Sequence, residues 1–141
     1  MLRDKDWLRR RALTREVFLP LAIQLAEVLA RLHERHVIHR DLSPMNVVVA
    51  DDEHLTLVDF DAAVVTGPAD GAVPAQLGGA LPYVAPEETG RMNRGVDHRA
   101  DLYSLGAMLY EMLVGAPPSP RRIRWSWCTP TSPRRPRRRR P

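Results

Sequence analysis

The sequence predicts a mainly α fold carrying one short β-hairpin. Two stretches place their apolar residues at helical spacing, and between them lie two brief β-rich runs around an acidic turn. In the first stretch, Val17, Leu21, Leu25, Val28, Leu29 and Leu32 form one stripe of a helix from about Thr14 to Glu34. Pro20 sits early in that run, where a first-turn proline is tolerated. A shorter helix is expected near Asp4–Arg11. Val47-Val48-Val49 and Leu55-Thr56-Leu57-Val58 flank the polar turn Asp51-Asp52-Glu53 and read as the hairpin. Residues 61–82 are rich in Gly, Ala and Pro without a usable period, and read as a long loop. The second helix spans roughly Asp97–Val114, with Leu102, Leu105, Met108, Leu109 and Met112 read as its core stripe. Gly115 and Pro117 stop it.

From Pro117 onward Pro, Arg, Ser and Thr dominate, so no core can form there. The expected organisation is one domain over residues 1–118 and an Arg/Pro-rich disordered tail over residues 119–141. Length and composition agree: 141 residues at 44% hydrophobic and 27% charged suffice for one core. No apolar run reaches the ~20 residues that span a bilayer, and Met1-Leu2-Arg3-Asp4 opens no signal peptide. The expected compartment is therefore the cytoplasm, with no membrane partner. Cys128 is the single cysteine, which excludes an internal disulfide and a multi-cysteine metal site. The net charge of +4 belongs to the tail. Residues 121–141 hold nine Arg and no acid, which leaves 21 − 9 = 12 bases against 17 acids, about −5, in residues 1–120. A specific nucleic-acid partner is not expected from a domain of that charge.

Chemistry is carried by His39-Arg40-Asp41-Leu42-Ser43-Pro44-Met45-Asn46, then Asp59-Phe60-Asp61, then Ala85-Pro86-Glu87. Phosphoryl transfer to a hydroxyl needs one carboxylate to orient and accept the substrate proton. It also needs oxygen donors to hold a cation on the nucleotide phosphates. Asp41, on a loop after a helix, suits the first role. Asn46, five residues on, and Asp59, just past the second β-run, suit the second, since Mg²⁺ prefers such hard donors. Three motifs in this order, with a helix before and a hairpin between, make a specific signal. His39 reads as a packed structural histidine. His33, His36, His54 and His98 share no ligand spacing with acidic residues and read as solvated or packed.

These motifs resemble the C-lobe of a eukaryotic-type protein kinase of the Ser/Thr class over about residues 5–118. The resemblance implies Asp41 as catalytic base, Asn46 and Asp59 on Mg²⁺, and ATP and a protein as substrates. It also implies that Glu87 anchors the end of the activation segment, that Arg40 meets a phosphate or acid of that segment, and that the Asp matching Asp101 braces the catalytic-loop backbone. Thr89-Gly90-Arg91-Met92-Asn93-Arg94, followed by Asp97 to Gly106, is similar to large bacterial proteins joining a kinase-like domain to an ATPase module and often a sensor histidine kinase. The implied fold is a kinase-like C-lobe without its N-lobe. The Gly-rich phosphate loop and strand lysine are expected from an upstream reading frame, and Lys5 is the only lysine here.

The chain departs from that pattern in its catalytic region and activation segment. Asp61 stands for the usual Gly, Ser43 for a Lys and Ala80 for a Thr, and before Tyr83 only Thr66 offers a loop hydroxyl. Phosphorylation of the loop is therefore not the expected switch. These departures keep a pseudokinase or docking module, and a non-functional gene fragment, as alternatives. Relatives of this type continue with an Asp-Pro-x-Glu-Leu-Val-His-x-His-like helix. Plausible GC-rich codons for Arg122–Ser132, read one base earlier, give Asp-Pro-Leu-Glu-Leu-Val-His-Ala-His-Leu. The tail reads as a frameshifted version of that helix or as a natural basic extension.

Overall fold

The computed structural model describes residues 12–67, 80–90 and 95–118. The expected Asp4–Arg11 helix and the Arg/Pro tail lie outside those residues. Helix α1 spans Arg15–Glu34 behind Thr14, whose extended backbone makes it the N-cap. Its buried stripe is Leu21, Leu25 and Leu29, flanked by half-buried Val17, Val28 and Leu32. Pro20 is the sixth helical residue and not in the first turn. Its missing amide therefore deprives the Glu16 carbonyl of an i+4 donor.

After α1 the chain reverses at His36, which has a left-handed φ of 57°, and enters strand β1, Val37–Ile38. The hairpin forms as expected from β2, Val47–Val49, and β3, Leu55–Leu57, antiparallel with Val47 opposite Leu57. Thr56 alone faces outward, because β3 alternates while β2 is buried throughout. Gln24 of α1 fastens the hairpin. Its Nε2 donates to the Glu53 carbonyl and its Oε1 accepts the Leu55 N–H.

A second ladder lies inside the stretch expected to be loop. Strand β4, Val64–Val65, pairs antiparallel with β1, Val37 opposite Val65. Two residues are too few for periodicity to register. The ladder is closed by Thr66, whose N–H and hydroxyl both donate to the His36 carbonyl.

Helix α2 spans Arg99–Val114, two residues later than expected, because the Asp97 side chain accepts the Arg99 N–H ahead of it. It ends at Gly115, whose φ of 77° suits a residue without Cβ. Met108 and Met112 join Leu21, Leu25, Leu29 and the hairpin in one core, and the Leu13 N–H bonds the Met112 carbonyl. Leu102, expected in that core, is 49% exposed, and Leu105 and Leu109 are only partly buried. The buried face runs instead through Ala100, Asp101, Ser104, Ala107, Met108, Glu111 and Met112. Three of those side chains are polar and are hydrogen-bonded to the loops packed on α2. No helix among the described residues is long and apolar enough to cross a membrane.

Two substitutions separate core from surface. Leu29→Ala should lower unfolding free energy by about 2–5 kcal/mol in chemical denaturation, since it opens a cavity beneath both helices. Gly106 lies mid-α2, and a Cβ there meets nothing within 4 Å. Gly106→Ala should therefore raise stability by roughly 0.5–1 kcal/mol.

Candidate active site

The segment His39–Asn46 links β1 to β2 and is shaped from below by Asp101, in the first turn of α2. Asp101 is fully buried. Its Oδ1 accepts the Arg40 N–H, and its Oδ2 accepts the His39 N–H and the His33 Nε2, each at 2.9 Å. Two successive amides can face one carboxylate only where the backbone turns sharply, and Arg40 has φ 65°. That conformation costs on the order of 1 kcal/mol or more for a residue with a Cβ. Hydrogen bonds to a charged acceptor offset it.

His39 is fully buried, and its ring lies 4.7 Å from that of Phe60 at 57°. Its Nε2 is 3.3 Å from the Val58 carbonyl, and its Nδ1 is 3.3 Å from the Asp41 N–H. One tautomer satisfies both contacts: Nε2–H donates and Nδ1 accepts. The packed role read for His39 thus has a specific content, since the ring joins the loop to the Asp59-Phe60 motif. Asn46 supplies the second join. Its carbonyl accepts the Val58 N–H at 2.9 Å, and its Nδ2 donates to the Asp41 carbonyl at 2.8 Å and to Asp41 Oδ2 at 3.0 Å.

The structure therefore puts Asp41 and Asn46 in direct contact and tethers Asp59 to Asn46 through its neighbour Val58. Asp59 is exposed, at φ 65°. Because Nδ2 of Asn46 is committed to Asp41, its Oδ1 remains as an oxygen donor. With the Asp59 carboxylate it offers two hard ligands, a donor set that fits Mg²⁺ sharing its other positions with water and phosphate oxygens. Among the described residues, no three His, Cys, Asp or Glu side chains form a metal site by themselves. Asp61 is exposed, whereas Ser43 is buried at 1% exposure. A cavity of about 280 Å³ lined by His33, His36, Asp97 and His98 includes none of Asp41, Asn46 or Asp59.

Beyond the loop, the segment 80–90 is fastened to α2. The Tyr83 hydroxyl donates to the buried Glu111 carboxylate, and the Ser104 hydroxyl donates to the Tyr83 carbonyl at 2.7 Å. Ala85 packs with Val96 and Ala100. The buried carboxylate of this segment is Glu88, at 4% exposure, and not Glu87, which is half-buried. Glu88 accepts the Ala85 N–H at 3.0 Å. Burial pushes its carboxyl above the ordinary range, with the Ala85 N–H and the Arg40 charge pulling the other way. Sequence reasoning missed His33, Glu88 and Glu111. For Glu111 a signal existed, an acid set between Met108 and Met112. Of Thr89–Arg94, residues 91–94 lie outside the described residues.

Comparison with known proteins fits this geometry. Residues 3–127 match the family described as protein kinase domain. The chain is 39% identical over 112 residues to an Aurora kinase of Schizosaccharomyces pombe, covering 78% of this chain and 30% of that protein. It is 41% identical over 106 residues to the serine/threonine-protein kinase pkn2 of Myxococcus xanthus, covering 71% and 12%. It is 41% identical over 111 residues to the human serine/threonine-protein kinase ULK3, covering 77% and 23%. The chain belongs to the protein kinase domain family, with Ser/Thr kinases among its relatives, and spans less than a third of the length of each of these three.

The Glu88 environment predicts a pH dependence. Its folded carboxyl holds a proton to higher pH than the unfolded chain, whose reference value is 4.5. Stability should therefore be greatest below about 4.5 and fall as pH rises from there through the folded value. Glu88→Gln keeps an acceptor for the Ala85 N–H and cannot ionise. Urea unfolding should show it more stable than the parent at pH 7 and level with it near pH 4.

Proposed function

We propose that this chain is the C-lobe part of a domain that transfers the terminal phosphoryl group of ATP to Ser/Thr hydroxyls of a protein. Asp41 is the base and Asn46 and Asp59 are the Mg²⁺ ligands. The contact of Asn46 Nδ2 with Asp41 Oδ2 carries the reading. It orients the Asp41 carboxylate and aims the amide oxygen of Asn46 elsewhere, so one residue sets both roles. Asp41 would accept the substrate hydroxyl proton and hold that oxygen in line with the phosphoryl group. Bound Mg²⁺ would neutralise charge on the phosphate oxygens. The domain would occupy residues 1–118, followed by a tail over 119–141 that is frameshifted or natural. The protein would be bacterial and cytoplasmic, with the N-lobe encoded upstream.

A specific observation supports the alternative of a pseudokinase or docking module. Ser43, which stands for the family's phosphate-contacting Lys, is buried and presents nothing to a substrate. The test uses labelled ATP, Mg²⁺ and a generic protein substrate. The 141-residue chain should incorporate little or no label, because positioning of the phosphates is most of the catalysis. A version extended upstream through a Gly-rich loop and strand lysine should incorporate label, and Asp41→Asn should reduce that at least about 100-fold. Robust transfer by the short chain would dispose of the need for an N-lobe. Silence from the extended protein would leave the docking reading in possession.

A further inference from the structure

We propose that the cavity between the end of α1 and the start of α2 is a seat for an arginine side chain, and that its occupant is one of the arginines at 134–140 of this chain. The cavity holds about 280 Å³ and lies apart from Asp41, Asn46 and Asp59. That is below the roughly 300–1,000 Å³ of small-molecule sites, a size that suits one long side chain. Val37 and Ile38 of β1 contribute apolar lining, and two lining rings, His33 and His98, meet edge to face with centroids 5.5 Å apart. What the polar groups around the cavity lack is donors. The His33 Nε2 is bonded to the Asp101 carboxylate, which only accepts, so the neutral ring carries its proton there and keeps Nδ1 as an acceptor. The Thr66 hydroxyl gives its proton to the His36 carbonyl and retains its lone pairs. Asp97 Oδ1 accepts the Arg99 N–H, while Oδ2 has, among the described residues, the 3.9 Å contact with the Arg99 Nε. That pair is solvent-exposed, with the Arg99 side chain at 67%, and contributes little.

A guanidinium answers that set. It has N–H donors and no acceptor, and its flat face stacks on an aromatic ring. A phosphate or carboxylate would bring more acceptors to the Asp97 charge. The source of the arginine follows from charge and reach. Residues 1–120 carry about −5, whereas residues 121–141 hold nine Arg and no acid. The described residues end at Pro118, just past α2, and the cavity lies at the opposite end of that helix. At 1.5 Å per residue the 16 residues of α2 measure about 24 Å. An extended chain spans about 3.3 Å per residue, so roughly eight residues cover that distance, and Arg134 and the arginines after it lie further along than that. Tethering makes the encounter intramolecular, so a site that grips one side chain can still be filled. The inference does not depend on phosphoryl transfer, nor on how the tail arose.

The experiment is nuclear magnetic resonance on the 141-residue chain with a nitroxide on Cys128, its single cysteine. The amides of Thr66, Asp97 and His98 should be broadened. Broadening should disappear when Arg134→Gln, Arg135→Gln, Arg137→Gln, Arg138→Gln, Arg139→Gln and Arg140→Gln are combined. It should weaken in Asp97→Asn, which keeps an acceptor for the Arg99 N–H and removes the charge. Unaltered shifts at Val47–Val49 show that each variant keeps its fold. A peptide of residues 131–141, added to the glutamine variant, should shift the same three amides. Adding Asp97→Asn to that variant should raise the Kd for the peptide at least about tenfold. Mixing the nitroxide-labelled chain with an isotope-labelled Cys128→Ser chain reads the source of the arginine. Broadening confined to the labelled molecule supports the chain's own tail, whereas broadening across molecules would overturn it in favour of a second copy. No broadening at the three amides, or a peptide Kd indifferent to Asp97→Asn, would overturn the seat itself, the latter by showing only loose attraction between charges.

Discussion

One buried carboxylate holds three parts of this chain in register. Asp101 belongs to α2, yet its acceptors are filled from the end of α1 and from two consecutive amides of the loop after β1. An unpaired charge at 0% exposure would cost several kcal/mol, comparable with the stability of a small domain. The fold therefore cannot keep α2 in place and release the loop at little cost. Position of the loop becomes a property of core packing, which is how a connecting segment can hold the Asp41 side chain steady.

The same helix does this twice more. Ser104 and Glu111 follow Asp101 along the buried face of α2 and fasten Tyr83 by its carbonyl and its hydroxyl. Along this face α2 gives up apolar contact for directed hydrogen bonds, while Met108 and Met112 keep it joined to α1 and the hairpin. Buried polar networks of this kind favour one geometry strongly when every member is satisfied. The stripe of leucines, whose side chains specify little beyond burial, is left turned partly outward.

That reversal explains what the sequence disclosed and what it hid. The α1 stripe was legible because Leu21, Leu25 and Leu29 are buried for hydrophobic reasons alone, so periodicity reports burial. The hairpin was legible because two β-rich runs flank an acidic turn. On α2 periodicity pointed to Leu102, whereas the buried side of that turn is chosen by Asp101 and its hydrogen bonds. The β1–β4 ladder escaped because it depends on Thr66 reaching His36, thirty residues apart in the chain. In the site, residue spacing singled out Asp41, Asn46 and Asp59. Their coupling through His39 and Val58 is a tertiary fact with no local pattern.

Asp61 bears on motion more than on charge. The left-handed conformation in the Asp59-Phe60-Asp61 motif is taken by Asp59, and Asp61 is not among the residues with positive φ. A side chain at position 61 therefore costs the backbone nothing in this geometry. Its carboxylate and that of Asp59 are both exposed, where like charges ~4 Å apart repel by only about 1 kcal/mol in water. A cation between them would reverse even that. What a glycine would have supplied is freedom to leave this conformation, and Asp61 narrows it while Phe60 stays packed on His39. The substitution thus suits a motif held in one state, in a chain where Thr66, the one hydroxyl side chain of residues 61–82, is already bonded to the His36 carbonyl.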